Sequence, residues 1–200
     1  KKAGRLRDHI DSAWINFKKL WENYQIQKKQ SISNARVDFS KHLLQEVFLW
    51  NDIKKTSGLN IGDSFYPITH RSFDDNLPLI LGGFDPSELD QGSYKFGNET
   101  RKRSPHCCLQ ECLNADENSD WGILICGEEI RLLHDNPSLV KPSFLSIDLE
   151  LLANSSLIDE FSIIWLILHS SRFIKTQKGF CIISKWKERG EELGERVRGA

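Results

Sequence analysis

The sequence lacks several features that would assign it at once to a class of protein. It has no methionine, even at position 1, and only six prolines in 200 residues. Its longest uninterrupted apolar run, residues 163–168, has six residues, far short of the roughly 20 that cross a bilayer. No basic segment followed by an apolar one opens the chain, so we expect no export signal. With 28% charged residues, the composition excludes collagenous and low-complexity proteins and favours a globular domain.

The missing methionine also bears on domain organisation. The last residues, 194–200, read as the middle of a helix, so we interpret the sequence as a piece of a longer protein. Its length suffices for one ordinary hydrophobic core. We expect an α+β module over residues 1–180 and the start of a C-terminal helical connector over residues 181–200.

The cysteines do not form a disulfide framework. There are five, an odd number with irregular spacing, which is typical of a reducing compartment. We therefore expect a cytoplasmic protein with no membrane contact. His106, Cys107, Cys108 and Cys112 are crowded together, but the second ligand pair of a tetrahedral zinc site is missing. Buried thiols on an amphipathic helix are the preferred interpretation.

Charged residues are unevenly distributed although their sum is close to zero. There are 27 Lys and Arg against 28 Asp and Glu, a formal charge of −1, which alone argues against a nucleic-acid-binding protein. Both ends of the chain are nevertheless basic, and residues 72–94 contain five acidic residues and no basic one. The sign then reverses, with basic residues at Lys95, Arg101, Lys102 and Arg103. Such a basic loop is a candidate contact for phosphate groups.

Hydrophobic periodicity predicts helices and strands in a mixed order. The predicted helices span the Leu6–Tyr24 region, residues 36–50, 105–114 and 156–170, and a segment beginning near residue 184. The predicted strands are residues 65–69 and 77–84, a hairpin formed by 121–126 and 129–134, and residues 143–149, with a long loop over 85–103. We expect an α+β fold, a small mixed β-sheet with a central hairpin flanked by helices.

Sequence motifs for catalysis fail one by one. There is no Gly-x-Ser-x-Gly nucleophile motif, and Gly82-Gly83 lacks the spacing of a dinucleotide-binding loop, so a bulge or a close backbone approach is expected there. A magnesium nuclease needs an acidic-x-Lys triplet on a central strand, whereas residues 79–83 contain no charged residue. The triplet Asp52-Ile53-Lys54 is predicted to lie at a helix end, and residues 85–90 are interpreted as a solvated acidic loop.

Several segments together resemble one family. They are Ser104-Pro105-His106, Gln110-Glu111-Cys112-Leu113-Asn114, Trp121–Gly127 with Arg131-Leu132-Leu133, and Ile147-Asp148-Leu149. They are similar to the N-terminal region of large bacterial restriction-modification and phage-defence proteins, of the DISARM and BREX kind, which carry an adenine DNA methyltransferase domain further along. The resemblance runs from about Arg5 to the Trp186-Lys187-Glu188 segment. One departure is Ile125-Cys126, where the family hairpin has Thr-Asn.

The resemblance implies a non-catalytic module whose core is a degenerate restriction-nuclease-like fold. It would contribute DNA or subunit contacts, and its partners would be DNA and the other domains or subunits of a restriction-modification system. S-adenosylmethionine is expected in the parent protein only, because the loop that binds a flipped adenine is missing here. Its nearest match, residues 135–138, predicts a turn. We expect no cofactor and no metal in these residues, and we predict DNA contacts at Lys95, Arg101, Lys102 and Arg103.

Two alternatives remain open. One is a divergent magnesium-dependent DNA endonuclease that uses Asp85, Glu88 or Glu111. The other is a protein-interaction module, which Trp14, Trp21 and the charged terminal helices favour.

Overall fold

A six-stranded mixed β-sheet lies at the centre of the domain. The computed structural model describes residues 2–92, 103–135, 144–155, 157–175 and 181–198. The strands are β1 (Lys54–Lys55), β2 (Leu59–Ile61), β3 (Ser64–Tyr66), β4 (His70–Ser72), β5 (Leu77–Leu81), β6 (Trp121–Ile125), β7 (Glu129–His134) and β8 (Phe144–Asp148). The sheet has the order β1-β4-β5-β6-β7-β8, and β2 and β3 form a separate hairpin. Strands β5 and β6 are parallel, and the other neighbours are antiparallel.

Helices cover both faces of the sheet. They are α1 (Lys2–Gln27), α2 (Ile32–His42), α3 (Pro105–Ala115), α4 (Leu149–Asn154), α5 (Ile158–Leu168) and α6 (Ile182–Arg198). Because β5 and β6 are parallel, the chain must cross over between them, and α3 forms part of that crossover. Within the described part of the chain, no helix is both long and apolar enough to cross a membrane.

The alternation of side chains along each strand divides the core into two clusters. Leu79, Ile123 and Leu132 are paired across three strands and belong to the cluster that includes α1, α2 and α5. Ile80 and Leu124 point to the other face and belong to the cluster that includes α3. The α+β class is therefore confirmed.

Some local elements are also confirmed. The β6–β7 hairpin pairs Trp121 with His134 and Ile125 with Ile130. Helix α3 begins where the sequence predicts, because the Ser104 hydroxyl accepts a hydrogen bond from Cys107 N at 3.1 Å and Pro105 occupies the first turn.

The predicted strand over residues 65–69 is confirmed only at residues 65 and 66, which belong to β3. These two residues pair with β2 in the small hairpin. Pro67 has no N–H for a sheet ladder, and Ile68 N donates to Tyr66 O across it at 2.8 Å. The strand that pairs with β5 therefore starts only at His70.

The second predicted helix also differs from its prediction. The second helix begins at Ile32 and continues beyond His42 as a π-helical turn, Leu43–Val47, in which Phe48 N donates to Leu43 O at 3.2 Å. The predicted strand over 143–149 is confirmed as β8, and its last residue, Asp148, also caps a short helix that the sequence does not predict, α4, by accepting from Leu151 N at 2.8 Å.

The tryptophans that favoured an interaction module lie in or against the core. Trp21 is 5% exposed and contacts Tyr24 and Phe39, and Trp14 packs against Phe161 with ring centroids 5.1 Å apart. These side chains join α1 to α2 and α5, so they give no support to a protein-interaction surface.

A buried charge cluster holds α1 and α2 against the β6–β7 turn. The Glu128 carboxylate accepts hydrogen bonds from Tyr24 Oη at 2.6 Å, Lys28 Nζ at 2.5 Å and Arg36 Nε at 2.8 Å. The side chains of Arg36 and Glu128 are 6% and 8% exposed. Arg36 Nη2 also donates to Asp85 at 2.9 Å, so the cluster ties the turn, both helices and the segment after β5 together.

Replacing Glu128 by Gln tests this cluster. The amide keeps the shape of the side chain but removes the negative charge to which Lys28 and Arg36 bind. Breaking a buried ion pair costs about 3 kcal/mol or more, and we expect a loss of that size in the free energy of unfolding, measured in urea at neutral pH. Asp85→Asn is the matched control. The Asp85 side chain is 51% exposed, so its ion pair contributes less than about 1 kcal/mol.

The difference between wild type and Glu128→Gln should also depend on pH. Burial opposes ionisation of Glu128, but hydrogen bonds from Arg36, Lys28 and Tyr24 outweigh it, so the pKa is lowered. The stabilisation is therefore present above the ordinary glutamate range and disappears as the pH falls through the lowered pKa. Equal losses in the two variants, or a difference independent of pH, would contradict this role for Glu128.

Candidate nucleic-acid interface

The predicted DNA contacts lie between the end of β5 and the start of α3. Lys95, Arg101 and Lys102 fall outside the described residues. Arg103 is described, and its Nη1 lies 2.6 Å from Glu111 Oε2, with the Arg103 side chain 17% exposed. The Arg103 guanidinium thus forms an ion pair with a carboxylate of α3. A contact between Arg103 and a phosphate would compete with that ion pair.

Both ends of the basic segment are fixed at one place on the sheet. Leu89 is fully buried, and its carbonyl accepts a hydrogen bond from His106 N at 3.1 Å. The neighbouring Asp90 carboxylate binds Arg131 of β7 at 2.6 and 2.9 Å. Leu89 and Asp90 therefore lie next to the start of α3, beside β7.

Arg131 organises this anchor from within the sheet. The residue is 6% exposed. Its Nε donates to Glu129 at 2.7 Å, and its guanidinium lies 5.0 Å from the centre of the Phe144 ring. Because a guanidinium can only donate, the His106 Nδ1 atom 3.2 Å from Arg131 Nη1 must accept. Burial and the Arg131 charge both lower the pKa of His106, which keeps the imidazole neutral.

Each carboxylate of the endonuclease alternative already has a structural partner. Asp85 accepts from Arg36 and from Ser87 N, and Glu88 accepts from Asp85 N at 2.8 Å, closing a reciprocal cap on a short 3₁₀ turn. Glu111 is paired with Arg103. Among the described residues, no group of three or more His, Cys, Asp or Glu side chains is arranged to hold a metal ion.

The Asp52-Ile53-Lys54 triplet does not form a nuclease-like pair either. The Asp52 carboxylate accepts from Ser72 Oγ and from Phe73 N, both at 2.5 Å. The Lys54 amine lies instead 4.0 Å from Asp75. Phe73 and Asp75 have φ values of +54° and +65°, a region that favours glycine, so Asp52 serves to hold a strained turn.

The cysteines of α3 divide as the amphipathic interpretation predicts. Cys107 is exposed, whereas Cys108 and Cys112 are buried, as are Cys126 in the turn and Cys181 before α6. Burial raises the pKa of Cys112 and of Cys126 to about 12. These thiols are therefore protonated at neutral pH and act as small apolar side chains.

Sequence reasoning missed the ionic anchors at Arg36, Glu128 and Arg131. Arg131 belongs to a segment of the family resemblance and Arg36 to a predicted helix, but no pattern in the sequence marks either as buried. One signal is present for Glu128, which directly follows Gly127 in the turn of the predicted hairpin. In the structure this turn lies against α1 and α2. Nothing in the sequence indicates which cation would bind it.

Comparisons with models of known protein families, with curated proteins and with solved structures gave no match.

The thiol assignment can be tested with Ellman's reagent. One of the five thiols, Cys107, should react rapidly in the folded protein, and all five after denaturation. Cys107→Ser should remove the rapid phase and leave the unfolding curve within about 0.5 kcal/mol of wild type, as for an exposed site. Rapid reaction of two or more thiols in the native protein would show that α3 or the hairpin turn is not packed as described.

Proposed function

We propose that this chain is a non-catalytic module of a bacterial restriction-modification or phage-defence protein. It contacts duplex DNA through the basic segment that includes Lys95, Arg101 and Lys102, in the cytoplasm. The parent protein carries an S-adenosylmethionine-dependent adenine methyltransferase elsewhere, and the other domains or subunits of that system are its protein partners. The observation that carries the DNA contact is the anchoring of both ends of the basic segment by Leu89, His106 and Arg131.

Anchoring matters because binding to DNA costs the entropy of ordering the contacting segment. A segment whose ends are already joined has a smaller conformational space than a free tail. The acidic residues that precede it do not cancel its charge fully, because Asp85 and Asp90 are bound to Arg36 and Arg131. Asp85 and Asp90 are therefore less available to compete with phosphate groups for the basic residues.

The ion pairs also support a non-catalytic role. A metal site built from Asp85 or Glu111 would have to remove these carboxylates from Arg36 and Arg103. For Arg36, whose side chain is buried, that would leave Glu128 as its remaining anionic partner in the cluster. The geometry thus favours binding over hydrolysis.

The DNA contact is tested with a triple variant, Lys95→Ala/Arg101→Ala/Lys102→Ala. Each phosphate contact contributes about 0.9 to the slope of log K against log salt, so this variant should lower that slope by up to about 2.7. Arg103 is left in place because it pairs with Glu111. The matched control, Lys54→Ala/Lys185→Ala/Arg189→Ala, removes the same charge from exposed positions elsewhere.

The salt titration uses fluorescence anisotropy of a labelled duplex. Identical slopes for the triple variant and the wild type would exclude this segment as the DNA contact. Plasmid cleavage by the same proteins in the presence of Mg²⁺ or Mn²⁺ tests the endonuclease alternative. Metal-dependent cutting that Asp85→Ala abolishes would overturn the non-catalytic assignment.

A further inference from the structure

A second candidate cationic surface lies at the β1 edge of the sheet. The register of β1 against β4 places Lys54 opposite Arg71 and Lys55 opposite His70. Residues directly opposite each other in an antiparallel pair project to the same face, and like charges in such pairs are destabilising. Lys54 and Arg71 therefore share one face of the sheet at this edge, and Lys55 and His70 share the other.

On one face the positive charges are compensated. Lys54 Nζ lies 4.0 Å from Asp75, and Arg71 Nη2 lies 3.4 Å from Asp116 at the end of α3. Each cation of this pair thus has its own carboxylate.

On the other face there is no such compensation. Lys55 and Lys41 of α2 are both exposed, and neither forms an ion pair with the described residues. His70, which is 8% exposed, lies opposite Lys55 in β1 and opposite Leu79 in β5, on the face of the sheet that packs against α2, the helix that carries Lys41. Burial lowers the pKa of His70, and the charges of Lys41 and Lys55 lower it further. This face therefore carries Lys41, Lys55 and His70, and no carboxylate of the described residues forms an ion pair with any of them.

We infer that Lys41, Lys55 and His70 form a phosphate-binding surface for the backbone of duplex DNA, separate from the basic segment before α3. The identity of the polyanion rests on the proposed function. The surface itself rests on the register of β1 and β4 and on the contrast between the two faces of the same strand pair.

Two structural roles for these lysines account for only part of the pattern. Charged residues on a short edge strand prevent pairing with other chains, which explains Lys54 and Lys55 but not Lys41. Basic residues also stabilise the free carboxyl end of a helix. Lys41 lies in the last turn of α2, but the helical chain continues as the π-helical turn to Val47, so no free end is present beside it.

The hydrogen bonds of His70 define where it gains a proton. The Thr69 hydroxyl donates to Leu79 O at 3.1 Å and accepts from Leu81 N at 2.9 Å. A hydroxyl has a single proton to donate, so Thr69 Oγ1 must accept from His70 Nδ1, 3.0 Å away. Neutral His70 therefore carries its proton on Nδ1, and Nε2 is the nitrogen that titrates.

Bound phosphate should reverse the electrostatics at this ring. The groups that face His70 are Lys55 from β1, Lys41 from α2 and the Thr69 hydroxyl. A phosphate held by the two lysines adds negative charge, which raises the pKa of His70. Binding then takes up a proton, so affinity through this surface increases as the pH falls through the titration range of His70.

The experiment follows the imidazole resonances of His70 by NMR during pH titrations with and without a short DNA duplex. The pKa of His70 should rise in the presence of duplex. Lys41→Ala/Lys55→Ala should abolish the rise and lower the slope of log K against log salt by about 1.8, two contacts at about 0.9 each. Lys54→Ala/Lys185→Ala removes the same charge and should change neither by a comparable amount.

The outcomes separate this inference from the proposed function. The second surface is excluded if duplex leaves the pKa of His70 unchanged and the salt slope of Lys41→Ala/Lys55→Ala equals that of wild type. This conclusion holds even if the triple variant of Lys95, Arg101 and Lys102 weakens binding. A rise in the pKa caused by inorganic phosphate but not by duplex would also overturn the assignment to DNA. A rise with duplex that persists in the Lys95, Arg101 and Lys102 variant would support two separate contact surfaces.

Discussion

The Glu128 carboxylate is withdrawn from water and bound by Tyr24, Lys28 and Arg36, and the position of the helical layer depends on this interaction. A buried charge is tolerated only when its hydrogen-bonding capacity is filled, so α1 and α2 must meet the β6–β7 turn at one angle and depth. The turn allows that approach because its glycine has no side chain. A Cβ at Gly127 would lie 2.7 Å from Arg36 Cγ and 2.8 Å from the Tyr24 oxygen, at a φ of +85°.

The charged residues of the molecule form two sets, one paired in the interior and one at the edge of the sheet. Inside, Arg36 and Arg131 each bind two carboxylates, and the pairs with Asp85 and Asp90 fix the residues that precede the basic segment. At the edge formed by β1 and β4, Lys54 and Arg71 are paired on one face, while Lys55 on the other has no acidic partner within the described residues. The proposed DNA contacts rest on this division between paired interior charges and uncompensated surface charges, because the formal charge of the whole chain is only −1.

The sequence predicts those parts of the fold that local patterns determine. The α+β class, the β6–β7 hairpin and α3 with its Ser104 cap follow from periodicity, a turn glycine and an N-cap. Three other elements do not follow from local patterns. The strand beside β5 starts late because Pro67 interrupts the predicted run. The π-helical turn contains the buried residues Leu43, Leu44 and Val47, and α4 forms because Asp148, the last residue of β8, also caps a helix. The site shows the same limit: residues 95–103 stand out by charge, whereas the Lys41, Lys55 and His70 surface depends on a strand register and a helix position that no local pattern contains.

The central claim is that particular lysines, and not the overall charge, contact DNA. The most direct measurement is acetylation of lysines with and without bound duplex, read residue by residue by mass spectrometry. Lys95, Lys102, Lys41 and Lys55 should lose reactivity when duplex is bound, while Lys54 and Lys185 should react as in the protein alone. Unchanged reactivity at Lys95 and Lys102, with protection at other lysines instead, would contradict the account.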